Sequence, residues 1–256
     1  MITRRETALG GLLTIVCCSI GCSCRAHAAS RQRTFGCLLP DDEANRLLAT
    51  STEQQMFVTG NEPILASSGD REFDYALAQT LSHITDTFRV LPGFGYFDDS
   101  EAPNAYATGI ARMARADGTV LFGQRLLKAT LAKPEHPDAA VAAICAHEFG
   151  HILQTKLNLR PTILAGQTTM KRLELHADYL SGYYAGLRKL TKPDYPAAVF
   201  ATQAYSSGDL TVTNAGHHGR PEERAAAIVR GFEVAYRERH NIAEAVQIGV
   251  NYVATL

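Results

Sequence analysis

The sequence predicts an α+β domain, mostly helical, with a small sheet of about three strands ahead of its main helices. Short segments rich in aromatic and β-branched residues, bounded by Gly, Asp or Pro, cluster between Gly93 and Gly123. Alanine-rich and three-to-four-spaced apolar segments dominate from Gln124 onward. The 256 residues carry 25 basic and 26 acidic side chains for a net charge of −1, without a block of like charge or a repeat. That balance leaves no basic footprint for nucleic acid and no polybasic membrane patch.

Three parts are expected. Residues 1–28 read as a signal peptide: Arg4-Arg5, an apolar run from Leu9 to about Cys24, then the small-x-small pattern Ala26-His27-Ala28. The arginine pair suggests the twin-arginine route, hence a bacterial source and export to the periplasm. A lipoprotein signal ending at Cys22 is the rival, which would add a lipid anchor. No later run reaches the roughly 18 apolar residues of a membrane span, so the mature chain should have no transmembrane helix. Residues 29–70 form an irregular, partly helical N-terminal segment, and residues 71–256 the main domain. Of six cysteines, only Cys37 and Cys145 would outlast cleavage after Ala28. Export permits a bridge between them; two unpaired thiols are equally compatible with the sequence.

The elements follow in order. "DDEANRLLATSTEQQMF" (41–57) reads as helical. "REFDYALAQTLSHITDTFRVL" repeats apolar Phe73, Leu77, Leu81, Ile84 and Phe88 at helical spacing until Pro92 and Gly93 stop it. "GFGYFDD", "NAYATGIA" and "ADGTVLFG" read as short strands. "QRLLKATLA" is a helix ending before Pro134. "HPDAAVAAICAHEFGHILQTKLN" is a long one with Pro137 near its start. "TTMKRLELHADYLSGYYAGLRKL" is the next, closed by Pro193, and "PAAVFATQAY" follows. A polar loop, "SSGDLTVTNAGHHG", precedes helices in "RPEERAAAIVRGFEVAYRER" and "IAEAVQIGVNYVA".

Chemistry concentrates in "AICAHEFGHILQ". Residues four apart stack on one helix face, so His147 and His151 can aim at one point, and neutral imidazole is a good zinc ligand. Glu148, rotated by about 100°, misses the ligand set but can reach a water beside it. A third ligand is needed. A histidine six residues after His151 is ruled out, because Leu157 stands there and Gln154 occupies the expected glycine. Glu174, in "LELHAD" on the following helix, supplies it, and Asp178 one turn later would fix a ligand histidine's tautomer. The His/His/Glu set favours Zn2+, one per chain. The chemistry implied is metal-assisted hydrolysis, with Glu148 moving the proton. His218 is the candidate for stabilising the oxyanion, with His217 or a tyrosine as competitor, and Arg224 could anchor that loop.

HEFGH followed by ELHAD resembles the gluzincin metallopeptidases, and within them the HtpX-type and CAAX-prenyl-protease-type family. The likeness spans roughly residues 88 to 230 and includes "PNAYATG", "GTVLFGQRLL" and "HHGRPEER". The bacterial putative neutral zinc metallopeptidases carry a similar ending. The resemblance implies a zincin-like domain and a soluble or lipid-anchored periplasmic branch. It also implies that Asn104, with Ala105, Tyr106 and Ala107, contacts an extended polypeptide substrate along an edge strand. The expected function is an exported zinc endopeptidase acting on unfolded or damaged envelope proteins. The alternatives are another zinc hydrolase, such as a cell-wall peptidase or amidase, and a non-catalytic envelope protein with a retained metal site.

Overall fold

The computed structural model describes residues 36–256. The expected signal peptide, its cysteines and the arginine pair lie outside the described residues. Asp41, Asp42 and Glu43 fill the first turn of α1 (Asp41–Leu48), where free backbone amides favour negative charge. The helix is shorter than its pattern predicts. The hydroxyls of Thr50 and Ser51 bond back to the carbonyls of Leu47 and Leu48. The chain then turns to the sheet, where the Thr52 amide donates to the Tyr96 carbonyl at 3.0 Å.

α2 (Arg71–Phe88) begins at Asp70, whose carboxylate accepts from the amides of Glu72 and Phe73. It buries Leu77, Leu81, Ile84 and Phe88, the stripe its spacing predicts, and ends at Arg89 in the left-handed region. The strands β1 (Gly93–Phe97), β2 (Ala105–Thr108) and β3 (Thr119–Gly123) form one mixed sheet in the order β1-β3-β2. β1 runs parallel to β3, with Gly93 opposite Thr119; β2 runs antiparallel to β3, with Ala105 opposite Phe122. Both outer edges are covered by the N-terminal segment. Gln55 and Phe94 exchange two main-chain hydrogen bonds at one edge. At the other, Ala107 donates to the Cys37 carbonyl (3.0 Å) and accepts from the Leu39 amide (2.8 Å). Covering edges removes unpaired donors that would otherwise recruit other strands.

The remaining elements are α3 (Gln124–Leu131), α4 (Pro137–Lys156), α5 (Arg160–Ile163), α6 (Lys171–Thr191), α7 (Ala198–Ser206), α8 (Pro221–Tyr236) and α9 (Ile242–Ala254). α4 is buried from Ala139 through Gln154, as a helix apolar on all sides must be. α6 is buried from Leu173 to Gly186 and is tied to α4 by the Ser181 hydroxyl on the Ala143 carbonyl, at 3.0 Å. α8 lies so close on α6 that a Cβ at Gly231 would strike the Tyr179 carbonyl. Two central helices, each enclosed by neighbours, thus carry every ligand that the sequence proposed. Cys37 and Cys145 are both buried, and neither is paired. Among the described residues no helix is long and apolar enough to cross a membrane.

Candidate metal centre

α4 sets the Nε2 atoms of His147 and His151 3.2 Å apart, with their rings nearly perpendicular. α6 brings Glu174 against them: Oε2 stands 3.3 Å from His147 Nε2, and Oε1 3.6 Å from His151 Nε2. The outward ring nitrogens face acceptors. His147 Nδ1 lies 2.9 Å from Asp178 Oδ1, and His151 Nδ1 lies 2.8 Å from Gln154 Oε1. Each Nδ1 therefore carries the donated proton, and each Nε2 turns a lone pair inward. Three acceptor atoms converge on one point, and Glu174 Oε2 is buried without a hydrogen bond. Such a cluster repels itself unless a cation sits inside it. Ligands held at about 2.0–2.1 Å on a tetrahedral ion stand about 3.3–3.4 Å apart, close to these separations. The residues fit a zinc-type ion. The Cys37 Sγ joins them, with all four donor atoms within 4.8 Å of one another.

A cluster of this kind attracts positive charge, whether as a metal ion or as a proton on a ring nitrogen. Burial works against a positive His147, yet the Asp178 carboxylate beside it holds its pKa well above the ordinary value. Burial likewise works against a charged Glu174, but the neighbouring His151 and His218 hold its carboxyl well below the usual range. The pocket is built to enclose positive charge among carboxylates.

Each histidine has its own support. Asp178 Oδ1, besides accepting from His147, accepts from Arg224 Nη2 at 2.9 Å, and Oδ2 accepts from Arg224 Nε at 2.7 Å. Arg224 is buried on α8 and also donates to the Ser207 carbonyl (3.0 Å). On the other side Gln154 donates to the Leu173 carbonyl (2.8 Å), which fixes its oxygen toward His151. Its nitrogen also meets His176 Nδ1 at 3.1 Å. Burial lowers the His176 pKa to about 4, so this imidazole stays neutral and structural.

Glu148 is buried beside the centre, with Oε2 lacking a hydrogen bond, and burial lifts its carboxyl to about 7. It lines a cleft of about 360 Å³, shared with His147, Asn104, Ala105, Cys37 and His218. Asp209 organises the loop on that side. It accepts from the His218 amide at 2.9 Å and meets His217 Nδ1 at 2.6 Å. Of the two loop histidines, His218 lines the cleft; His217 is buried with its Nε2 unpartnered. Asn104 also reaches the cleft. The loop before β2 is pinned by the buried Asp99, which takes the Asn104 amide and those of Arg125 and Leu126. Tyr106 is wholly buried on the other face of β2, and Ala107 pairs with residues 37–39.

Sequence reasoning missed two members of this arrangement. Gln154 stands three residues from His151, so helical spacing could have marked it as a neighbour. Cys37 precedes Glu174 by 137 positions, and no local signal joins them.

A His/His/Glu acceptor set on two enclosed helices, with a glutamate beside it at the wall of a cleft, has the ligand chemistry of a gluzincin-type metallopeptidase site. In particular, the sequence model described as Peptidase family M48 matches residues 85–171, from the end of α2 through the whole of α4. That match supports the resemblance to the HtpX and CAAX protease group, whose members depend on zinc. It stops short of Glu174, Asp178 and Arg224, which the geometry adds. No curated protein and no solved structure matches the chain.

Proposed function

We propose that the chain is an exported zinc-dependent endopeptidase that cleaves unfolded or damaged proteins of the bacterial periplasm. His147, His151 and Glu174 would hold the ion, and bound zinc would supply Lewis acidity toward a carbonyl and make water a nucleophile at neutral pH. Asp178 keeps His147 in the ligating tautomer, Gln154 does so for His151, and Arg224 keeps Asp178 in place. Glu148 accepts the proton of the attacking water and returns it to the departing amine; a carboxyl lifted to about 7 suits both transfers. His218, which also lines the cleft, donates toward the developing oxyanion. Asn104 and the start of β2 give main-chain contacts to an extended peptide, a mode that demands little of its sequence.

The observation that carries this reading is the convergence of acceptor atoms around one point with Glu148 at its side. Metal analysis of the purified protein, paired with casein cleavage with and without chelator, tests it. One zinc per chain and chelator-sensitive cleavage are expected; peptidoglycan hydrolysis instead would point to a cell-wall enzyme. Glu148→Gln should keep the zinc and lose about 10²–10⁴-fold in turnover. Cleavage by that variant at the unmodified rate would remove Glu148 from the mechanism.

A further inference from the structure

We infer that Cys37 is a fourth ligand of the metal centre and that residues 36–39 lie where substrate would lie. The fold described is then the closed, latent form of the peptidase proposed above, on which this inference rests. The thiol is not an isolated cysteine. Its sulfur stands within 4.8 Å of the ligating atoms of His147, His151 and Glu174. A tetrahedral zinc with sulfur at about 2.3 Å places that atom about 3.5–3.6 Å from its fellow ligands. The four donors are within about an ångström or so of that arrangement.

The main chain places the thiol there by independent contacts. The Cys37 amide donates to Glu174 Oε1 at 3.0 Å, leaving Oε2 for the ion. Gly36 takes the left-handed region (φ 62°), and a Cβ there would collide with the Glu174 carboxylate, so the turn that presents Cys37 requires glycine. Beyond the thiol, Leu38 pairs in parallel with Ala107, and two main-chain hydrogen bonds fill the outer edge of β2. Leu39 anchors the segment in an apolar cluster with Leu47, Phe97 and Tyr106. A peptide using that edge, and a water using the open metal position, would each have to displace this segment.

Catalytic zinc sites keep one position free, whereas four protein ligands close the site. On closure the Sγ–metal bond forms and the thiol proton leaves to solvent. On opening that bond breaks, the thiol takes a proton back, and water enters the vacated position. Opening also breaks the two hydrogen bonds to Ala107, while α1 can stay packed. Cys145 offers a contrast within the same chain: it is fully buried (0% exposed, against 8% for Cys37) and lies outside the ligand cluster.

The experiment replaces zinc by Co2+ in the full chain. One equivalent is expected to give a thiolate-to-cobalt band in the near ultraviolet that disappears in Cys37→Ser, while the visible bands of a four-coordinate ion remain. Cobalt bound without that difference would overturn the thiol ligand and leave the metal centre standing. No stoichiometric cobalt would instead sink the metallopeptidase reading itself. Alkylation of the unaltered protein, mapped by mass, needs no variant. Zinc should slow labelling of Cys37 at least about tenfold and leave Cys145 unchanged; equal protection of both would reject the ligand. Casein cleavage by zinc-loaded Cys37→Ser should rise about tenfold as the closed population is lost. An unchanged or lower rate in a variant that retains its zinc would reject latency.

Discussion

His147 is aimed by a carboxylate that a buried guanidinium clamps, whereas His151 is aimed by a neutral amide braced by a carbonyl and a neutral imidazole. The first support joins α4, α6 and α8 through charge; the second joins α4, α6 and α9 through dipoles, since His176 Nε2 also approaches the Val246 carbonyl at 3.4 Å. A buried charge pair aims strongly but leaves an uncompensated charge if one partner is lost. A neutral network costs less to break, yet every member must stay uncharged. One site thus rests on two kinds of brace whose failures should differ in size and in pH dependence.

The largest effect should come from the charged side. Asp178→Ala strands Arg224 in the interior and should cost about 3–5 kcal/mol in urea unfolding. It should also weaken zinc affinity about 10–100-fold, read by competition with a chelating dye. A loss of affinity without a loss of stability would mean that Arg224 finds water when its partner goes.

The neutral side should show itself in pH. Burial holds the His176 pKa at about 4 in the folded chain, against about 6.5 when unfolded. Between those values the unfolded chain binds a proton that the folded chain does not. Stability should therefore fall as pH drops from about 6.5 to about 4, by about 3 kcal/mol in all, and be untouched above that window. Urea midpoints at about pH 7 and pH 4.5, compared between the unaltered protein and His176→Asn, measure it. Equal pH slopes in both would remove His176 from the neutral brace.

The smallest effect belongs to Gln154→Ala. It unpairs His151 Nδ1 and the Leu173 carbonyl, both neutral, and should cost about 1–3 kcal/mol. Zinc affinity should drop less than in Asp178→Ala; a larger drop would reverse the ranking of the two braces.

Much of this was legible in the chain. The period of Phe73, Leu77, Leu81, Ile84 and Phe88 marked α2, and the strands fell between their turns because short β-branched and aromatic runs have few other uses. α1 is shorter than its local pattern predicts, because Thr52 and Gln55 are drawn to the edge of β1, a contact that no local spacing encodes. Arg224 could be read as a surface or an anchoring residue, and only the approach of α8 to α6 buries it against Asp178.

By itself the sequence determined what helical geometry dictates: His147 and His151 on one face, Glu148 turned aside, and an acidic pair one turn apart on a later helix. Those relations span a few residues and survive any packing of the helices. The tertiary structure alone decided which distant groups reach that face. The Gly36-Cys37 turn beside Glu174, the bracing of Gln154 by His176, and the filled edge of β2 depend on where the whole backbone returns. These contacts join residues from 22 to 137 positions apart; they are set by the burial of the entire core, and no local periodicity encodes them.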